Sequence, residues 1–231
     1  MSGRPTATGG WHSRLYTVFV ALAFVALPAS AQAHMTAPGM NQFTSGLLHP
    51  WMTPTHLIIL LALGLWLGQN VPLRLGLPFK VFAPLSAAAL AFTTTGWIPG
   101  VPQPILVAVA LAAGAVVALE LRLPPAAGAA LLAAAAVAIG LDSGAESGTP
   151  WAIASTLLGT WVSLGLGLVN IAYYVSLAAE RKKKWISIGL RIAGSWIFAI
   201  SLLMLAFAMR RGNGEGGFQR QNIQHPTSNI Q

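Results

Sequence analysis

The sequence predicts an all-α fold, a polytopic membrane helix bundle with six transmembrane helices after a signal peptide. Three observations predict it. Only 8% of the 231 residues are Asp, Glu, Lys or Arg, and 55% are hydrophobic. The apolar residues gather into long runs, separated by short segments that carry Pro, Gly or charge. The basic residues alternate between those segments as membrane topology requires. A soluble domain carries roughly 25% charged residues, so this chain lacks the charge to cover a surface facing water.

Residues 1–33 have the form of a signal peptide. Arg4 and Arg14 supply a positive n-region, and Leu15 to Leu27 an apolar core that is short for a span. Pro28-Ala29-Ser30-Ala31-Gln32-Ala33 follows, with two overlapping A-x-A sites. Cleavage after Ala33 leaves His34 as the mature N-terminus; the alternative is an uncleaved first helix. Residues 34–53 then form a periplasmic segment, and 54–211 the transmembrane domain. Its six apolar runs are 54–69, 79–97, 104–121, 124–141, 151–177 and 185–209. The first is short, and residues upstream of Pro54 can extend it. Thr53 can cap a helix that begins at Pro54, since Pro suits the first helical position. The third and fourth runs are rich in Ala and Gly, which permit close helix approach in lipid, and Gly64 and Gly68 have GxxxG spacing. Residues 212–231, rich in Gly, Asn and Gln, read as a disordered tail.

With the mature N-terminus outside, the loops after the first, third and fifth spans face the cytoplasm. They hold Arg74 and Lys80, then Arg122, then Arg181, Lys182, Lys183 and Lys184. The opposite loops, 98–103 and 142–150, contain no Lys or Arg. Arg210 and Arg211 are the exception, because six spans end outside. An uncleaved signal adds a seventh span and leaves these assignments unchanged. The net charge of +8 therefore reports topology rather than a nucleic-acid face, which needs basic residues along one exposed surface. The expected surroundings are the lipid bilayer, together with a membrane-protein partner or further copies of the chain. Multi-pass insertion in the bacterial inner membrane, with the mature N-terminus periplasmic, is the localisation this implies.

The chain has no cysteine, which leaves His, Asp, Glu, Met and carbonyls as metal donors. His49 and His56 lie seven residues apart at the outer end of the first span. On an unbroken helix they share a face but stand about 10.5 Å apart along the axis, too far for one ion with nitrogen bonds of about 2 Å. Pro50 and Pro54 break that helix, so His49 falls on a loop that can fold back toward His56. The plainer alternative is two interfacial histidines that are solvated or hydrogen-bonded. His34 is a third candidate through its amine and imidazole. Met35, Met40 and Met52 are soft donors nearby and read first as packing residues. Asp142 and Glu146, outside the fourth span, can attract cations or belong to a solvated loop. Arg191, two turns into the last span, reads as snorkelling to headgroups, or else pairs with Glu120, Asn170 or Tyr174. No GxSxG, Walker loop, HExxH or CxxC occurs, so no catalytic residue and no bound cofactor is expected.

The stretch His49-Pro50-Trp51-Met52-Thr53-Pro54-Thr55-His56, followed by Leu57-Ile58-Ile59-Leu60 and Gly64-Leu65-Trp66, resembles the first-span signature HPxxGxDH of the HupE/UreJ membrane proteins, found with nickel-dependent hydrogenases and ureases. Signal peptide, span count and loop placement are similar as well. Thr53 and Thr55 replace that signature's Gly and Asp. A second family motif, HGxxHGxE, aligns with Ile139 to Glu146, with both histidines lost, to Ile139 and Ser143. A further family histidine aligns near Gly159. The resemblance implies a permease for a divalent transition metal, nickel or cobalt as transported ion, with His34, His49, His56, Asp142 and Glu146 as the remaining ligands. The missing histidines leave a second expectation open, an accessory membrane subunit that kept the scaffold and lost transport.

Overall fold

The computed structural model describes residues 41–97, 100–145 and 148–223, with side chains through Arg210 apart from Phe79. The expected signal peptide, His34 and Glu146 lie outside the described residues. The described chain is helical, with no strand. Its elements are α1 (Gln42–Met52), α2 (Pro54–Gln69), a π-helical turn (Pro78–Phe82) leading into α3 (Ala83–Thr93), α4 (Gln103–Ala118), α5 (Pro125–Asp142), α6 (Pro150–Ala179) and α7 (Lys184–Ile223).

The apolar runs become helices, and local chemistry sets their ends. Pro54, Pro125 and Pro150 each occupy the first helical position, where the missing N–H costs nothing. The Asn41 side chain accepts the Thr44 N–H at 2.8 Å and starts α1. α3 stops short of the expected 97. The hydroxyls of Thr93, Thr94 and Thr95 donate to the carbonyls of Leu90, Ala91 and Phe92, and Gly96 follows at φ +70. α4 ends at Ala118 because Glu120 turns left-handed (φ 53) and the Leu121 N–H returns to the Val116 carbonyl at 3.0 Å. α7 continues to Ile223, into the segment that composition reads as an unstructured tail.

Among the described residues three helices are long and apolar enough to cross a membrane: Pro125–Asp142, Pro150–Ala179 and Lys184–Arg210. A fourth span arises if α1 and α2 count as one, bent by 72° between them. The segments Lys80–Thr93 and Gln103–Ala118 are shorter apolar helices. The upstream residues therefore do not extend α2 in a straight line; they form a separate arm.

α2 sits in the middle of the bundle. Ile59, Leu60 and Leu63 are fully buried and meet Leu132 and Ile139 of α5 and Leu164 and Leu168 of α6 in one core. A helix apolar all round belongs inside. α1 and α2 both pack along α6, while α7 packs chiefly on α4. The rest of α7 exposes Ile188, Trp196, Leu203 and Phe207, a surface suited to lipid.

Glycine makes the α6 contact possible. A Cβ at Gly46 would overlap the Thr156 carbonyl, and one at Gly159 would overlap the Phe43 carbonyl. Backbone therefore meets backbone, as small residues allow in lipid. The GxxxG pair also packs within the chain, against side chains: Gly64 faces Ile171 and Gly68 faces Val175, both on α6.

Candidate functional site

The break between α1 and α2 brings the two histidines together. His49 lies in the last turn of α1, not on a loop, and His56 in the first turn of α2. Their ring centres are 5.4 Å apart with the planes tilted by 59°. The single residue between the arms, Thr53, adopts an extended conformation (φ −93, ψ 107). It occupies the N-cap position of α2, but its side chain makes no capping hydrogen bond. The bend thus does what a straight helix cannot.

Pro50 lies inside α1 and has no N–H for the carbonyl four residues back, that of Gly46. α6 supplies the missing donor. The Thr160 hydroxyl donates toward the Gly46 carbonyl at 3.2 Å and shares its proton with the Thr156 carbonyl at 3.0 Å. One turn further on, the Ser163 hydroxyl donates to the Leu47 carbonyl at 2.6 Å and accepts the Trp51 indole N–H at 2.8 Å. In lipid a freed backbone carbonyl must find such a partner. Thr160, Ser163 and Trp51 therefore set the angle at which α1 presents His49. Nothing in a linear reading singles them out, because their partners are more than a hundred positions away in sequence.

His56 is fully buried, and its Nε2 meets Asp142 Oδ2 at 2.9 Å. Asp142 is the last residue of α5, and its side chain is 26% exposed. It is the helix-end partner of a buried imidazole, not a member of a solvated loop. Gly100 lines the same corner: a Cβ there would stand 3.9 Å from Asp142 Oδ1. His56 Nε2 faces the Asp142 carboxylate; in the neutral imidazole tautomer that donates from Nε2, Nδ1 keeps its lone pair. That nitrogen is buried without a hydrogen-bond partner, and so is His49 Nε2. Buried polar atoms are almost always paired, so two orphaned imidazole nitrogens at one bend mark a place that a ligand can complete. A carboxylate behind a histidine is also the arrangement that orients metal-binding imidazoles.

The cluster is incomplete as a metal centre. Among the described residues no group of three or more His, Cys, Asp or Glu is placed to hold a metal ion. Two imidazoles are present, with Asp142 already engaged by one of them. His34 and Glu146 lie outside the described residues. Where the resemblance puts further histidines, this chain has other uses for the space. Ile139 is fully buried in the core, and the buried Ser143 hydroxyl donates to the Ile139 carbonyl at 2.7 Å. Gly159 is filled against by the α1 backbone. Met52 is exposed.

At the opposite end of the bundle the Arg191 Nε donates to the Ala118 carbonyl at 3.3 Å, a partner outside the expected set of Glu120, Asn170 and Tyr174. Gln69, Glu120 and Lys182 to Lys184 line one cavity, while His56, Asp142 and Gly100 meet at the other end.

A helical membrane protein with a buried imidazole held by a carboxylate at the bend between two apolar helices is the class that fold and site define. Within that class the chain belongs to the HupE/UreJ family: the model described as HupE / UreJ protein matches residues 22–204. No curated protein and no solved structure matches it.

Proposed function

We propose that the protein is a secondary permease that carries a divalent transition metal, nickel or cobalt, across the bacterial inner membrane. The observation that carries this reading is the pair of buried, unpartnered nitrogens, His49 Nε2 and His56 Nδ1, at the bend of a broken span. Transporters place substrate sites where a helix is interrupted. Ring centres 5.4 Å apart suit two imidazoles on one ion, since each centre lies roughly 3 Å from a metal bound about 2 Å beyond its nitrogen. His34 and Glu146 complete the ligand set in this reading, and waters on the ion fill what remains. Asp142 acts mainly through His56, fixing its proton and its ring.

The same reading has six spans. The two shorter helices, Lys80–Thr93 and Gln103–Ala118, are its second and third. The 16 residues of α4 rise about 24 Å, and the flanking residues make up the remainder of a core of about 30 Å. The histidine end is periplasmic and the basic end cytoplasmic, by the positive-inside rule.

Uptake of radiolabelled nickel and cobalt into cells tests the proposal. Wild-type protein raises uptake, and the His49→Ala/His56→Ala double variant returns it to background at equal protein level. Unchanged uptake in that variant sinks the ligand assignment.

A second reading has an observation of its own. The positions aligned with lost family histidines are occupied by core packing at Ile139 and by a helix contact at Gly159. That favours an accessory subunit that kept the scaffold and binds a membrane partner. Under this reading the purified chain binds neither nickel nor cobalt in a calorimetric titration, and it leaves mild detergent extracts with a stoichiometric partner.

A further inference from the structure

The basic end of the bundle carries a second site that the proposed ion path does not use. A cavity of about 260 Å³ opens there between the ends of α2, α4 and α6 and the start of α7. Lys182, Lys183, Lys184 and Arg191 line it, with Glu120 the one carboxylate among its lining residues. The Glu120 carboxylate accepts from the Ser187 hydroxyl at 3.3 Å. Among the described residues the one close contact between a basic side chain and a carboxylate is His56–Asp142, so within that set these four cations have no carboxylate partner. Gln69 also lines the cavity, and its Nε2 is buried with no hydrogen-bond partner. α7 begins at Lys184, which brings the positive end of its dipole to the same wall. Cations, a neutral orphan donor and a helix N-terminus all call for an anion.

A second depression of about 250 Å³ adjoins the first and shares Arg191 with it. It runs along α7 past Ile188 and Ile192, with Ala118 of α4 opposite and Ser195 at its far end. Ile188 and Ile192 are more than half exposed, so this depression has an apolar wall open to the hydrocarbon side of the bundle. Arg191 stands between a charged hollow and an apolar one.

We propose that these two hollows form one binding site for a phosphate anion with an attached acyl chain, an anionic phospholipid held from the inner leaflet. The headgroup phosphate occupies the cavity beside Lys182, Lys183, Lys184 and Gln69, and a chain lies along Ile188 and Ile192. Basic pockets between helices on the cytoplasmic side recognise headgroups in this manner. A free phosphate satisfies the charged half alone and leaves the apolar half without a purpose.

The test uses the full-length chain, purified in a neutral detergent and stripped of lipid. Binding of phosphatidylglycerol and phosphatidylcholine is compared by native mass spectrometry, with inorganic phosphate as competitor. The wild type retains phosphatidylglycerol roughly tenfold more strongly than phosphatidylcholine. The Lys182→Gln/Lys183→Gln variant loses most of that preference. The Arg74→Gln/Lys80→Gln variant, with equal charge removed outside the cavity, keeps it. Resistance to millimolar phosphate assigns the site to lipid. Displacement of the lipid by phosphate, sensitive to the Lys182→Gln/Lys183→Gln change, keeps the phosphate site and transfers it to the free anion. Equal retention of both lipids, or the same loss in both variants, overturns the proposal.

Discussion

The two ends of the bundle handle charge in opposite ways. At the histidine end, one imidazole is fully buried and is held by a carboxylate on another helix. Around it, backbone touches backbone, and the carbonyl that Pro50 frees has a hydroxyl donor. At the basic end, lysines stand exposed around an open cavity and pair with nothing among the described residues. Burial makes a polar group depend on its one partner, whereas exposed charges are screened and individually worth little. Single substitutions should therefore damage the first end and leave the second stable, changing only what it binds.

The largest effect is expected at the α1–α6 contact. Gly159→Leu drives a side chain into the Phe43 carbonyl and destabilises the fold by on the order of 3 kcal/mol, near the upper end for overpacking. Thermal melting of the detergent-solubilised protein reads it out. A melting point unchanged from the wild type would mean that the two helices are not locked together there. Asp142→Ala comes next. It leaves His56 Nε2 buried without a partner, at a cost of about 1–3 kcal/mol, and lowers metal affinity by roughly 10- to 100-fold through the loss of the orienting carboxylate. A calorimetric nickel titration beside the melt separates the two. If affinity stays while stability falls, Asp142 is a packing partner alone. The smallest is Trp51→Phe, which removes one indole hydrogen bond to Ser163 and costs about 1 kcal/mol. A larger loss in metal binding than in stability would place the angle of α1 within the function.

Much of this architecture is legible in the residues. The fourth apolar run, 124–141, becomes Pro125–Asp142, and the first, 54–69, becomes Pro54–Gln69, because Pro and loop residues punctuate a chain that is otherwise uniformly apolar. The approach of His49 to His56 follows from the two prolines. Three things stay hidden in the linear order. Uniform hydrophobicity erases the periodicity that marks a core face, so nothing distinguishes the central α2 from the peripheral α7. Helix ends set by hydroxyl-to-backbone bonds, as at Thr93 to Thr95, shorten a run whose composition would carry it further. The pairing of Asp142 with His56 joins residues 86 positions apart. Composition reads Asp142 as a loop acid, and only packing of α5 on the bundle makes it the partner of an imidazole.

Gly46 and Gly159 have a consequence for how this molecule can vary. Most contacts between helices can be repaired after a change, since a larger residue on one side is matched by a smaller one opposite. Here the volume on each side is taken by the other helix's main chain, and both residues are already the smallest there is. No second substitution restores the fit. The arm that bears His49 is thus joined to α6 at a point with no compensating neighbour.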